Sequence, residues 1–156
     1  MAIYSFVTPR ISVLLKTRQT QKLQRLINNA NLINSLLITV LFILLVILGR
    51  YILSLFGQEY SNLNAYLAFI LVIAGSYCGT YSRSAILLLA YSDQQNTLIL
   101  NSIIEWSTLI IFGILLTIKY NIIGVSIAYC LAVLCKTSHA IIMAKYKLKL
   151  KPLSII

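Results

Sequence analysis

Acidic residues are nearly missing from this chain. Asp and Glu number 3 against 13 Lys and Arg, for a formal net charge of +10 over 156 residues. Three carboxylates leave little for acid–base chemistry. No nucleophile arrangement accompanies them, so no enzyme is expected. Charge of either sign is scarce, at 10% of residues, where a soluble domain carries about 25%. Cysteine is limited to Cys78, Cys130 and Cys135, an odd number with no zinc spacing. Cys135 and His139 are four apart on one helix face, but two ligands do not make a metal site. No metal or other cofactor is expected.

What is abundant is apolar. The chain is 60% hydrophobic, with a mean hydropathy of +0.90, and the apolar residues fall in long blocks. About 20 such residues cross a ~30 Å hydrocarbon core. The blocks predict four membrane spans, at 34–56, 62–91, 97–118 and 122–145. The second is long and is expected to tilt or kink. All are expected to be helical, because lipid offers no partner to free backbone groups. β-barrel strands would be short and alternate in polarity. The fold class is therefore an all-α polytopic membrane protein.

The few charges set an orientation. Arg10, Lys16, Arg18, Lys22 and Arg25 precede the first span, and Lys145, Lys147, Lys149 and Lys151 follow the last. Basic flanks stay cytoplasmic, which predicts both termini inside and an even number of spans. Topology accounts for the positive charge, so no nucleic-acid partner is expected. The lysine tail is also placed to meet anionic membrane lipid. Tyr51, Tyr60, Tyr66, Tyr91, Tyr120 and Tyr146 fall near span ends, where amphipathic rings prefer the interface. Tyr77, Tyr81 and Tyr129 fall deeper and need hydroxyl partners.

The opening "MAIYSFVTPR" has no charged leader and reads as the tail of a span, which Pro9 ends. Beyond it, Leu23, Leu26, Ile27 and Ala30 recur at helical spacing opposite Lys22 and Arg25. That pattern predicts an amphipathic helix on the inner surface. The expected organisation is a partial span with a cytoplasmic amphipathic segment over 1–30, a four-helix transmembrane region over 31–146, and a basic cytoplasmic tail over 147–156.

One segment is chemically out of place. "GSYCGTYSRS", residues 75–84, interrupts an apolar block. Gly75 and Gly79 form G-x-x-x-G, whose small residues let another helix approach closely, with Ser76 and Thr80 able to add hydrogen bonds. Arg83 is costly in a membrane unless paired or wetted. With Gln94 as the centre of the inner turn, Arg83 precedes it by as many positions as Glu105 follows it. A helix rises by a fixed amount per residue, so the two share a depth, which predicts that they face each other. Lys136 and His139, three apart, come from the inner half of the fourth span. Arg83, Glu105, Lys136 and His139 are the candidate substrate or ion pathway. The bland alternatives are a structural ion pair for Arg83 and Glu105, snorkelling for Lys136 and simple packing for His139.

Several motifs occur in a telling order: Pro9 with "PRIS", the basic amphipathic helix, "LFGQEY" over 55–60, "ILLLAYSDQQ", and "KYNIIGVSIAY" over 119–129. That order resembles the C-terminal part of polysaccharide-export flippases, the O-antigen and exopolysaccharide members of the multidrug/oligosaccharidyl-lipid/polysaccharide transporter superfamily. Asn121 stands where that family often has Gly. The resemblance implies part of a MATE-like helical bundle in a bacterial plasma membrane. It implies that the chain helps move undecaprenyl-diphosphate-linked oligosaccharide between leaflets, by alternating access between two bundles. Arg83 and Lys136 would hold the diphosphate, Arg by bidentate hydrogen bonds, and Glu105 would orient Arg83 or carry a coupling proton. Family members have far more spans than four, so the chain is expected to be a fragment or split subunit working with a partner that supplies the missing helices. The competing reading is a small four-span subunit or regulator that acts by helix–helix assembly through Gly75 and Gly79.

Overall fold

The computed structural model describes Pro9, Ile11, Val13, Leu14, Thr17, Tyr60 and residues 19–57, 62–92 and 94–148. The expected partial span before Pro9 and the tail beyond residue 148 lie outside the described residues. Among the described residues the main elements are helices: α1 (Thr20–Leu55), α2 (Leu63–Thr80), α3 (Arg83–Tyr91) and α4 (Gln95–Leu148). Among the described residues three stretches are long and apolar enough to cross a membrane: Gln21–Leu55, Leu63–Thr80 and Gln95–Lys147.

α1 is one uninterrupted helix of 36 residues. The expected boundary between an amphipathic segment and the first span is absent. Residues 20–56 contain no proline, and Gly49 is their only glycine, so nothing local breaks the helix. Its first turns remain amphipathic. Leu23 and Ile27 are buried in a cluster with Ile11 and Leu88 of α3, while Lys22 and Arg25 are exposed. The apolar stripe thus packs on protein. α1 ends where Gly57 takes φ 136°, a conformation glycine adopts without a Cβ penalty. Asn62 then starts α2, its Oδ1 accepting from the Ala65 N–H at 2.8 Å, an N-cap.

The second predicted span is split. Tyr81 and Ser82 separate α2 from α3. Here the N–H groups of Tyr81 and Ser82 bond the carbonyls of Cys78 and Gly79, each at 3.3 Å and three residues back. Ser82 Oγ also donates to the Gly79 carbonyl at 2.8 Å, and Thr80 Oγ1 to that of Tyr77 at 2.6 Å. Hydroxyls that bond back to the preceding turn tighten and bend a helix.

α4 folds back on itself. Asn121 sits at φ 50°, ψ −128°, the one non-glycine with positive φ among the described residues. Asn tolerates that region better than most L-residues, so it can serve where Gly is the usual choice. Two antiparallel arms result, 95–120 and 122–148. Gly124 makes the reversal tight. A Cβ there would collide with the Leu116 carbonyl.

α1 packs on α2, and α4 packs on α2 and α3, while α1 and α4 share few contacts. The arrangement is open, not a closed ring. α1 and the first arm of α4 turn large apolar side chains outward, among them Leu36, Ile47, Ile114 and Leu115.

Candidate functional site: the charged face of α3 and α4

Gly75 and Gly79 meet the second arm of α4. A Cβ on Gly75 would lie 3.1 Å from the Cys130 Cα, and one on Gly79 would lie 2.8 Å from Val133 Cγ1. The close-approach face is therefore filled by the chain's own helix. Ser76 Oγ and the Tyr129 hydroxyl are 3.1 Å apart. Further on, Ala85 and Leu89 share a buried cluster with Ala140 and Ala144. Contacts advance in step along both segments, from Gly75 with Cys130 to the Ala85 and Ala140 cluster. The α2–α3 segment and the second arm therefore run parallel.

That register locates the charges. Arg83 lies seven positions after Ser76, and Lys136 seven after Tyr129. That spacing is about two helical turns, which keeps Lys136 on the Tyr129 side of its continuous helix, while the Tyr81–Ser82 break lies between Ser76 and Arg83. Arg83 and Lys136 therefore lie at about the same level along the two parallel segments.

Glu105 takes a different partner from the one expected. Its Oε2 accepts from Lys136 Nζ at 2.6 Å, with side chains 25% and 28% exposed. The Arg83–Glu105 contact anticipated from depth is not formed. Depth alone did not identify the neighbour. Glu105 and Lys136 stand almost equally far from Asn121 along the chain, so the second hairpin matches their depths as well. Its two arms are in direct contact, and the second arm lies beside α3. Among the described residues Arg83 has no ion pair, and it is half-buried.

His139 departs from the predicted constellation. Its Nδ1 is 3.1 Å from Asn101 Oδ1, in the seam between the arms, where Asn101 is buried. Lys147 Nζ donates to Gln94 Oε1 at 2.6 Å and Thr97 Oγ1 at 2.7 Å. Polar rungs thus fasten the half of the hairpin away from Asn121. Sequence reasoning missed Asn101, whose depth match to His139 about Asn121 was the available signal.

A second polar feature joins α1 to α2. Thr39 Oγ1 donates to the Ser35 carbonyl at 2.8 Å. A hydroxyl has one proton, so at 3.0 Å Thr39 accepts from Tyr77. Tyr77 then accepts from Tyr81 at 2.9 Å, and Tyr81 from Ser35 Oγ at 3.4 Å. The four hydroxyls form one directed chain with every proton used. Sequence analysis flagged both tyrosines as needing partners but did not find Ser35 and Thr39. Their i, i+4 spacing mirrors that of Tyr77 and Tyr81.

Among the described residues, no three His, Cys, Asp or Glu side chains gather as a metal site. Cys78, Cys130 and Cys135 are free thiols. No protein-family model, curated protein or solved structure matches this chain. The fold defines a helical protein with helices of membrane-spanning length.

Proposed function

We propose that the chain is part of a membrane transporter that moves an undecaprenyl-diphosphate-linked oligosaccharide across a bacterial plasma membrane. In this reading it crosses four times, through α1, α2–α3 and the two arms of α4, with both termini in the cytoplasm. Partner helices close the pathway, which an open arrangement of this size does not enclose alone. The order of motifs described above supports the family.

The observation that carries the substrate class is Arg83, a half-buried cation with no ion pair among the described residues. At one end of the molecule Arg50 stacks 5.2 Å from the Tyr66 ring, and Lys119 5.4 Å from that of Tyr120, as expected of an interfacial belt. Arg83 lies beyond Tyr66 by about 26 Å along the helical path. A core of ~30 Å puts Arg83 and Lys136 just inside the opposite boundary, next to lipid headgroups. A guanidinium at that depth, level with an ammonium, suits a diphosphate.

Native mass spectrometry of the detergent-purified chain tests this. Undecaprenyl diphosphate should be retained in preference to undecaprenyl monophosphate, and Arg83→Ala should lose that preference. Equal retention of both lipids by the unmodified chain would remove the substrate reading. It would favour the assembly subunit, for which the apolar outer faces of α1 and the first arm of α4 speak.

A further inference from the structure

The geometry points to an oxyanion site at the start of α3, where a phosphate-class group is held by the open end of that helix, by Arg83 and by the hydroxyl of Thr137. This rests on the anion-binding reading of Arg83 and adds where the anion sits and which further residue binds it.

The start of α3 is positive and uncapped. It has no acidic residue in its first turn, and its N-cap, Ser82, makes no side-chain cap bond. The Ser82 hydroxyl is turned the other way and donates to the Gly79 carbonyl at 2.8 Å. Ile86 N–H reaches the Ser82 carbonyl at 2.8 Å. The N–H groups of Arg83 and Ala85 come before it and have no acceptor within α3. Such a helix end carries a partial positive charge, and cations are favoured at the opposite end. Yet the first residue of α3 is Arg83, which no described residue pairs.

Thr137 gives an independent sign. Its Oγ1 is buried with no hydrogen-bond partner, the one side-chain polar atom so placed among the described residues, and Thr137 is only 8% exposed. It faces the break. Four residues before it, Val133 meets Gly79. Three residues after it, Ala140 clusters with Ala85 and Leu89. Those spacings put all three on one side of the second arm. Thr137 is therefore opposite the interval between Gly79 and Ala85, which holds Ser82 and Arg83. A buried hydroxyl without a partner is costly, so a missing ligand or water is the ordinary explanation. A cation is a poor occupant, because Arg83 and the helix end are already positive. A water would bond the hydroxyl but would not offset that charge. An oxyanion does both. It accepts from Thr137 Oγ1, from the open N–H groups and from the guanidinium.

Calorimetric titration of the full chain in dodecyl maltoside tests this. Inorganic pyrophosphate is one titrant and dihexanoyl phosphatidic acid the other, to separate a free anion from a lipid headgroup. Thr137→Val keeps the side chain's shape and removes its hydroxyl. It should bind about tenfold more weakly, while Thr137→Ser stays close to the unmodified chain and Arg83→Ala loses binding. Whichever titrant shows this order names the source. Unfolding in sodium dodecyl sulfate with no anion present is the second measurement. There Thr137→Val should be no less stable than the unmodified chain, because it removes an unpartnered hydroxyl. A less stable Thr137→Val would show that the hydroxyl already has a structural partner, and overturns the inference. Equal affinity in Thr137→Val and the unmodified chain, with binding still lost in Arg83→Ala, also overturns it and leaves the Arg83 reading standing. If the unmodified chain binds neither titrant, both fail.

Discussion

The hydroxyls of Ser76 and Tyr129 lie 3.1 Å apart, and this contact aligns α2 with the second arm of α4. Gly75 and Gly79 make it possible by removing the side chains that would hold the helices apart. Everything on the charged face inherits its register from this seam.

The seam predicts a compensating pair of substitutions. Gly79→Ala drives a methyl to 2.8 Å from Val133 Cγ1 and should destabilise the protein by about 1–3 kcal/mol. Val133→Ala in the same chain makes room and should recover most of that loss. Unfolding in increasing sodium dodecyl sulfate, followed by circular dichroism, reads both. Additive losses in the double variant would show that the two residues do not meet.

The ion pair predicts a similar pattern with opposite chemistry. Lys136→Met strands the Glu105 carboxylate and should cost about 2 kcal/mol, less than a fully buried pair because both side chains keep some exposure. Adding Glu105→Leu removes the stranded charge and should restore stability. Arg83→Met should not reproduce this rescue with Glu105→Leu, since Arg83 is not the partner. The same unfolding assay decides between the two cations.

The directed hydroxyl chain predicts unequal effects from two tyrosines. Tyr77→Phe leaves Thr39 without its donor and Tyr81 without its acceptor. Tyr81→Phe breaks one comparably short link and the longest one, Ser35 to Tyr81 at 3.4 Å. Losses of about 0.5–2 kcal/mol are usual for such bonds between membrane helices. Tyr77→Phe should show the larger, and equal losses would contradict the proton order.

Orientation is open to labelling. In a cysteine-free background, Tyr60→Cys should react with an impermeant maleimide in intact cells. Gln24→Cys should react only after permeabilisation. The reverse pattern would invert the proposed topology.

How far the sequence led depended on the kind of signal. Apolar run length was enough to foresee long helices. The glycine spacing at 75 and 79 was enough to foresee close approach, though not that the partner would be the chain's own second arm. Depth was legible because a helix climbs by the same step at every residue. Lateral neighbours were not, because Glu105 is matched in depth both across the turn near Gln94 and across the turn at Asn121. The break at Tyr81 and Ser82 was expected only as a tilt or kink. Its cause is side-chain hydroxyls bonding back to their own helix, which composition suggests but does not locate. The join of the amphipathic stretch to α1 was missed because a change of polarity was read as a change of element.

That join has a mechanical consequence. A helix of 36 residues is about 54 Å long, and α1 has no proline in it. One end is held by Arg50 and Gly49 against Tyr66 and Phe69, and the other by Leu23 and Ile27 against Leu88. The two anchor points are about 25 residues, or roughly 37 Å, apart, so a tilt of about 5° about the first sweeps the second through roughly 3 Å. A rigid tilt of α1 would therefore be felt at Leu88 of α3, five residues from Arg83.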